Sequence, residues 1–268
     1  MSETRSARTT ALRVTAPRTG RAARAARAVG LAALVAMVAL QIASGISAEP
    51  VRFTGIVVAA LAVSAIGFAA AGWGPRRTLA AFGAVVAAGY AAEAVGVRTG
   101  FPFGEYHYTG LLWPQLGGVP VVVALAWGGM GLAAYGVAAA VTTGGARIAV
   151  GALALTAWDL FLDPQMVGLG LWAWAVQGGY RGIPLTNFAG WLLVSALVML
   201  LLERILRGGQ SHQARPPRGL AGVYTTMAVM ETVGFAAVFQ PPDPLVAAAG
   251  GMSMGAFAAL AWRRLWRK

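Results

Sequence analysis

Apolar residues occur in eight long runs separated by short polar segments. The runs cover residues 28–46, 55–73, 78–97, 119–141, 147–163, 187–206, 220–238 and 244–262. A helix of about 20 apolar residues is long enough to cross the hydrocarbon core of a bilayer. A membrane β-barrel would instead alternate apolar and polar residues along each strand. The pattern therefore predicts an all-α, polytopic bundle of about eight transmembrane helices.

Composition supports this fold class and narrows the chemistry. Hydrophobic residues make up 58% of the 268 and charged residues 11%, with a mean hydropathy of +0.67. A soluble domain carries about 25% charged residues. The chain has no cysteine, which excludes disulfides, thiolate chemistry and cysteine-ligated metals. The two histidines, His107 and His212, are too far apart in the sequence for a known metal motif, so we predict no metal site.

The basic residues predict the orientation. With a cytoplasmic N-terminus and eight spans, 18 of the 21 basic residues fall in inner segments. The other three are Arg52, Arg98 and Arg181. Cytoplasmic segments of membrane proteins are enriched in Lys and Arg, so we expect a multi-pass protein of the cell membrane with both termini in the cytoplasm. Topology and anionic membrane lipids account for the net charge of +12, and we expect no nucleic-acid partner.

The N-terminal segment differs from the rest of the chain. Residues 1–27 are rich in Arg, Ala and Thr and contain no apolar run. We expect a basic, largely disordered cytoplasmic tail at 1–27, followed by a single transmembrane domain at 28–268. The arginines at 18, 21, 24 and 27 recur every third residue, a spacing that can form a stripe on a surface helix.

One polar and aromatic island lies in the predicted outer loop 98–118. Its centre reads Gly100-Phe-Pro-Phe-Gly-Glu-Tyr-His-Tyr-Thr109. If this stretch is extended, Glu105 and His107 share one face and Tyr106 and Tyr108 the other. An aromatic belt at the membrane interface, with a solvated Glu, is one interpretation. A chemical site is the other, because a belt needs neither Glu nor His.

A second island ends the fifth run and continues into the outer loop 164–186. Asp159 and Asp163 are four residues apart, so they share one face of a helix. Pro164 is expected to end that helix, which would put both acids at its C-terminus, a position unfavourable for carboxylates. Arg181 is a candidate partner for one of them, and Asn187 is a candidate cap of the sixth span.

Two more acids, Glu93 and Glu231, lie within predicted spans. An ionised acid at mid-membrane costs about 2.5–3.5 kcal/mol on insertion scales, so such residues are usually functional or paired. A structural hydrogen bond between helices is the alternative for each. With Glu105, Asp159 and Asp163 they make five of the nine acids, all in the outer half of the bilayer or at its outer surface. This common level predicts a single site near the extracytoplasmic face.

Together the two islands resemble the carotenoid hydratase family, integral-membrane proteins of the γ-carotene hydratase and bisanhydrobacterioruberin hydratase type. The resemblance covers about residues 75–240. It is carried by Gly100–Thr109, Gly118-Val-Pro120 with Trp127, Asp159–Pro164, and Gly182-Ile-Pro-Leu-Thr-Asn187 with Trp191. It implies a cofactor-independent hydro-lyase that adds water across a terminal isoprenoid double bond of an acyclic carotenoid end group. The substrate would lie within the bilayer, and other carotenoid biosynthesis enzymes are candidate partners.

Such chemistry needs an acid to protonate the alkene, an electron-rich wall for the tertiary cation and a base to direct water. For this family we expect Asp159 or Asp163 as the proton donor and Glu105 with His107 at the attacking water, although donor and base can be exchanged. Glu93 is a further candidate acid. The candidate substrate contacts are Phe101, Phe103, Tyr106, Tyr108, Trp113, Trp158, Trp172, Trp174, Tyr180, Arg181, Asn187 and Glu231.

Three alternative functions remain open at this stage. A carotenoid cyclase also protonates an isoprenoid alkene, but it excludes water from the cation. A membrane prenyltransferase would use Asp159 and Asp163 in a metal-binding motif, although the chain lacks a first such motif. A carotenoid-binding or transport protein would use the acids as a proton relay.

Overall fold

Eight α-helices and four short strands form the part of the chain that the computed structural model describes, residues 18–207 and 218–267. The helices are α1 Arg18–Gly45, α2 Val51–Trp73, α3 Pro75–Thr99, α4 Val121–Val141, α5 Ala146–Gly168, α6 Leu185–Arg207, α7 Arg218–Val233 and α8 Pro244–Trp266. A π-helical turn, Gly234–Val238, continues α7. The strands are β1 Tyr106–Tyr108, β2 Gln115–Leu116, β3 Val119–Pro120 and β4 Trp172–Trp174.

The helices confirm the predicted all-α polytopic fold. Seven of the eight are long and apolar enough to cross a membrane. The exception is α5, which contains three charged residues, Arg147, Asp159 and Asp163. Helix α1 begins at Arg18, so residues 18–27 of the predicted tail are helical rather than disordered. Residues 1–17 lie outside the described chain, and the division into tail and domain stays a prediction.

Helix α4 lies at the centre of the bundle. Sixteen of its 21 residues are buried, because it packs against α2, α3, α5, α7 and α8. Small residues allow this close approach between helices. At Gly89 of α3, an added Cβ would lie 2.7 Å from the Trp127 ring of α4. The missing side chain therefore lets the Trp127 indole sit directly against α3.

Pro164 does not end α5, contrary to the prediction, and the helix continues to Gly168. Proline has no N–H, so it cannot donate to the carbonyl of residue 160, four positions earlier. The Tyr180 hydroxyl takes over, donating to the Leu160 carbonyl at 2.8 Å. Because this carbonyl is satisfied from another segment, the helix passes through the proline, and Asp159 and Asp163 lie within it rather than at its end.

Two long connections meet at one end of the bundle. The connection between α3 and α4 contains β1, and the connection between α5 and α6 contains β4. These strands pair antiparallel, with Tyr106 opposite Trp174, His107 opposite Ala173 and Tyr108 opposite Trp172. The two islands, about 50 residues apart in sequence, therefore form one small sheet over the end of the helices.

Candidate active site

The β1–β4 ladder directs four aromatic side chains towards the bundle. Residues directly opposite each other in a ladder point to the same face, and successive residues alternate. Tyr106 and Trp174 have ring centroids 5.2 Å apart, and those of Tyr108 and Trp172 are 5.6 Å apart. His107 lies on the opposite face and is exposed. The predicted alternation along β1 is correct, and the face with Tyr106 and Tyr108 is the one that meets the bundle.

Glu93 is the acid on which the two tyrosines converge. Its Oε2 accepts hydrogen bonds from the Tyr106 hydroxyl at 2.5 Å and the Tyr108 hydroxyl at 2.8 Å. Its Oε1 accepts from Trp127 Nε1 at 2.9 Å. The residue is buried, and three donors fit a group that acts only as an acceptor. Glu93 is thus held in one position by two helices and a strand.

Both tyrosines stay protonated in this setting. Burial raises the pKa of the Tyr106 hydroxyl well above its ordinary value, and the neighbouring Glu93 carboxylate raises it further. The pKa of Tyr108 is raised by the same two causes in the same order. Each hydroxyl is therefore available as a hydrogen-bond donor and is unsuited to act as a base.

Asp159 and Asp163 form a second acidic group, joined by one amide. Asn187 Nδ2 donates to Asp159 Oδ2 at 2.7 Å and also to Asp163 Oδ2. Trp172 Nε1 donates to Asp163 Oδ1 at 2.6 Å, which ties this group to β4. Asp159 Oδ1 is left without a partner among the described residues. Asp159, Asp163 and Asn187 are all buried. As predicted, the four-residue spacing of the two aspartates brings both to one face of the helix.

A cavity of about 70 Å³ lies between the two acidic groups. The non-aromatic polar residues in its lining are Thr54, Glu93, Asp163 and Asn187. Three indoles form much of its wall: Trp127 stacks on Trp191 with centroids 4.1 Å apart, and Trp158 meets Trp191 edge to face. The remaining aromatic lining is Phe103, Tyr106, Tyr108, Trp172 and Trp174. The volume suits a few water molecules or the small end of a larger apolar molecule.

Several predicted site residues lie away from this cavity. Glu105, which precedes β1, and His107, on the outer face of β1, are exposed, and the structure does not bring them to the acids. Phe101 and Trp113 are also exposed, at 64% and 85%. Glu231 is buried but lines a separate cavity. Alternation along β1 explains the first pair, since its inward positions are taken by the tyrosines.

The predicted ion pair of Arg181 with Asp159 or Asp163 and the predicted helix cap at Asn187 are wrong. Arg181 pairs with Asp243 at 2.5 Å, not with Asp159 or Asp163. Partial desolvation raises the pKa of Asp243, but the hydrogen bond and charge of Arg181 outweigh it and lower that pKa overall. Asn187 does not cap α6, because its side-chain amide donates hydrogen bonds to the two aspartates. The hydroxyl of Tyr180, a predicted substrate contact, donates to the α5 backbone.

Trp127 and Trp191 were not among the candidate site residues. Aromatic residues of membrane proteins concentrate at the two interfaces, whereas Trp127 lies within a run of small apolar residues. An indole N–H placed there needs an acceptor, and Glu93 is the acid within a span that supplies it. A tryptophan and an acid, each within an apolar run, were therefore the sequence signal for this pair.

No group of three or more His, Asp or Glu side chains is placed to hold a metal ion within residues 18–207 and 218–267.

Comparison with known proteins identifies the family. A family model described as "Carotenoid biosynthesis protein" matches residues 52–256, about three quarters of the chain. The chain belongs to the carotenoid biosynthesis protein family. This confirms the resemblance drawn from the two islands, and the matched segment contains every residue that lines the cavity.

One similar protein is a hydratase by name. Bisanhydrobacterioruberin hydratase of Haloarcula japonica is 37% identical over 136 residues, which is 48% of this chain and 45% of that protein. The matched part thus spans less than half the length of this relative. No solved structure matches the chain. As a carotenoid biosynthesis protein with seven helices apolar enough to span a bilayer, it is a multi-pass membrane protein.

Proposed function

We propose that this protein adds water across a terminal isoprenoid double bond of an acyclic carotenoid, giving a tertiary alcohol. One observation carries the proposal: a buried aromatic cavity is lined both by Asp163, which Asn187 joins to Asp159, and by a separate carboxylate, Glu93. A hydration needs both a proton donor and a base, and a wall that tolerates a cation between them. Membership of the carotenoid biosynthesis family and the name of the hydratase relative support the substrate class.

The aspartate pair is the proposed proton donor. Asp163 borders the cavity, and Asp159 lies behind it on the same helix face, joined to it through Asn187. Two carboxylates held this close in an apolar interior are most stable when they share one proton, because like charges repel strongly there. The O–H bond of Asp163 breaks as its proton adds to the less substituted alkene carbon. The pair then carries one additional negative charge, facing the cation it has generated.

The indoles are the proposed support for the tertiary cation. The face of an aromatic ring attracts a positive charge, by about 0.5–2 kcal/mol per ring according to solvation. Trp127, Trp158 and Trp191 line the cavity. Their bulk also limits how much water enters, so that a bound water attacks the cation instead of a loose cluster.

Glu93, rather than Glu105 with His107, is the proposed base for the attacking water. It is the second carboxylate, beside that of Asp163, that borders the cavity, whereas Glu105 and His107 are exposed. Water oxygen forms the new C–O bond, and its proton passes to Glu93. Return of that proton to the aspartate pair closes the cycle. The sum is alkene plus water giving alcohol, with no change of oxidation state, so the enzyme is proposed to be a cofactor-independent hydro-lyase.

The proposed active site faces the extracytoplasmic side of the membrane. The sheet of β1 and β4 lies at the end of the bundle that carries Arg98 and Arg181. The opposite end carries the basic residues around α6 and α8, among them Arg204 and Arg263. The positive-inside rule puts that second end in the cytoplasm.

The test is pigment analysis in a host that makes an acyclic carotene. Expression of the wild-type chain should convert the pigment to a product heavier by one water, and Asp163→Asn and Asp159→Asn should abolish that product. Glu203→Gln is the matched control, since Glu203 is bound by Tyr135 and Arg147 at the other end of the bundle. A product of unchanged mass but altered spectrum would indicate a cyclase. Pigment that is bound but unaltered would indicate a carotenoid-binding protein, and either result overturns the proposal.

A further inference from the structure

A second cavity, of about 220 Å³, lies between α1, α2, α5 and α7. It adjoins the first cavity, because both are bordered by the same five side chains. These shared residues are Thr54, Val58, Trp158, Leu162 and Met166. The two cavities are therefore neighbours within the bundle, with these five side chains at their common border.

The second cavity combines an apolar wall with two buried hydrogen-bond acceptors. Aliphatic residues and methionines form most of its surface. Glu231 is 5% exposed, and its Oε2 has no hydrogen-bond partner in the described chain. Gln41 Oε1, also on this wall, is likewise without one, while its Nε2 makes a long contact with the Met227 sulfur. Buried polar atoms are nearly always paired, so both oxygens call for a donor.

The backbone around Glu231 is shaped to leave this space open. The π-helical turn Gly234–Val238 follows within one turn of Glu231, and π-helical turns occur frequently at functional sites. At Gly234 an added Cβ would lie 2.7 Å from the Phe239 ring, and at Gly45 one would lie 2.8 Å from Val238. These glycines let Phe239 and Val238 border the cavity without filling it.

The two acceptors select the ligand chemistry. A pure hydrocarbon offers no donor, and a carbonyl offers only another acceptor. A buried ammonium group would lose its hydration among aliphatic walls at a large cost. An apolar molecule with a hydroxyl group fits both the wall and the acceptors.

We propose that the second cavity is a subsite for the tertiary alcohol product, with Glu231 as the acceptor of its hydroxyl and Gln41 as the alternate acceptor. The inference rests on the proposed function for the origin of the alcohol. After hydration in the first cavity, the product shifts along the shared wall, its new hydroxyl reaches Glu231, and the first cavity is freed for the next end group. Glu231 touches the product and not the reacting atoms, so it is a product-binding residue.

The experiment measures binding, so that it does not depend on turnover. The full chain, carrying Asp163→Asn to stop the reaction, is placed in lipid nanodiscs. Lycopene and its singly hydrated terminal alcohol are titrated against it, with quenching of tryptophan fluorescence as the readout. We expect the alcohol to bind about fivefold more tightly, as one additional hydrogen bond would give. Glu231→Leu should remove that preference and Glu231→Gln, which keeps an amide oxygen as acceptor, should retain it.

Met230→Leu is the matched control, because it alters the same wall without touching a polar atom. Should Glu231→Leu fail to fold, Gln41→Leu is the second variant, and a reduced preference is expected there. An alcohol preference that is absent in the parent or unchanged in the leucine variants overturns the subsite and leaves water as the partner of both oxygens. If the host pigment is not hydrated but the alcohol preference depends on Glu231, the proposed function fails and the subsite stands.

Discussion

Exchanging the Glu93 carboxylate for an amide tests the proposed base most directly. Glu93→Gln keeps the shape of the side chain but replaces one acceptor oxygen by an NH₂ group. Trp127 can only donate, so the amide oxygen must face its indole N–H. The NH₂ group then faces Tyr106 and Tyr108, whose hydroxyls can turn to accept because a hydroxyl both donates and accepts. All three contacts survive, and the variant is expected to fold.

The cost in stability follows from the hydrogen bonds that change. Three bonds to a carboxylate, worth about 1.5–3 kcal/mol each, become neutral bonds worth about 0.5–1.5 kcal/mol. The expected loss is therefore about 3–4.5 kcal/mol, within a typical stability of about 5–15 kcal/mol. Glu93→Leu would instead strand three buried donors at about 1–3 kcal/mol each, and we expect that variant to fold poorly.

The expected effect on activity is far larger than the effect on stability. A positioned general base contributes about 100- to 10,000-fold, so Glu93→Gln should lower the hydration rate by that factor. The assay is single-turnover conversion of an acyclic carotene by purified protein in nanodiscs, followed by mass, with thermal unfolding measured on the same sample. Glu203→Gln, another acid bound by a tyrosine, is the control and should keep the wild-type rate. A folded Glu93→Gln variant with a near-wild-type rate would refute the assignment of Glu93 as the base.

Two further perturbations test the framework around the site. Tyr180→Phe should lower the free energy of unfolding by about 1–3 kcal/mol, measured by thermal unfolding, because it leaves the Leu160 carbonyl without a donor. Adding Pro164→Ala should reduce that loss, because alanine restores the helical N–H that donates to the same carbonyl. Additive effects in the double variant would contradict this coupling. Gly96→Ala should lower the hydration rate at least tenfold, since its Cβ would lie 2.7 Å from the Tyr106 hydroxyl and displace it from Glu93. Gly83→Ala on the same helix, with open space around its added Cβ, is the control and should leave the rate unchanged; equal rates in both glycine variants would exclude the proposed displacement.

Local rules were enough for the helices and for the alternation within the first island. Runs of about 20 apolar residues predict spans wherever they occur, because a bilayer demands that length. The i, i+4 spacing of Asp159 and Asp163 fixed their common face, because a helix repeats every 3.6 residues. The extended geometry of β1 likewise separated Tyr106 and Tyr108 from His107.

Local rules did not predict which face of each element packs against the rest of the bundle. The first island has one face with Glu105 and His107 and another with two tyrosines, and polarity alone favoured the first as the reactive one. In the structure the tyrosine face lies against the bundle, where the two hydroxyls donate to Glu93. Glu93 itself looked like one of two equivalent acids within spans, and only its contact with Trp127 and β1 separates it from Glu231.

The amino-acid sequence by itself thus determined the membrane fold, the candidate acids and the membership of the family, since these depend on hydropathy, periodicity and motif. The tertiary structure decided that Asn187 joins two aspartates, that Arg181 belongs to Asp243, and that Tyr180 completes the helix across Pro164. Each of these contacts joins groups that are 20 to 62 residues apart in the chain. Such pairings depend on how helices and loops pack in three dimensions, and no local pattern of residues encodes them.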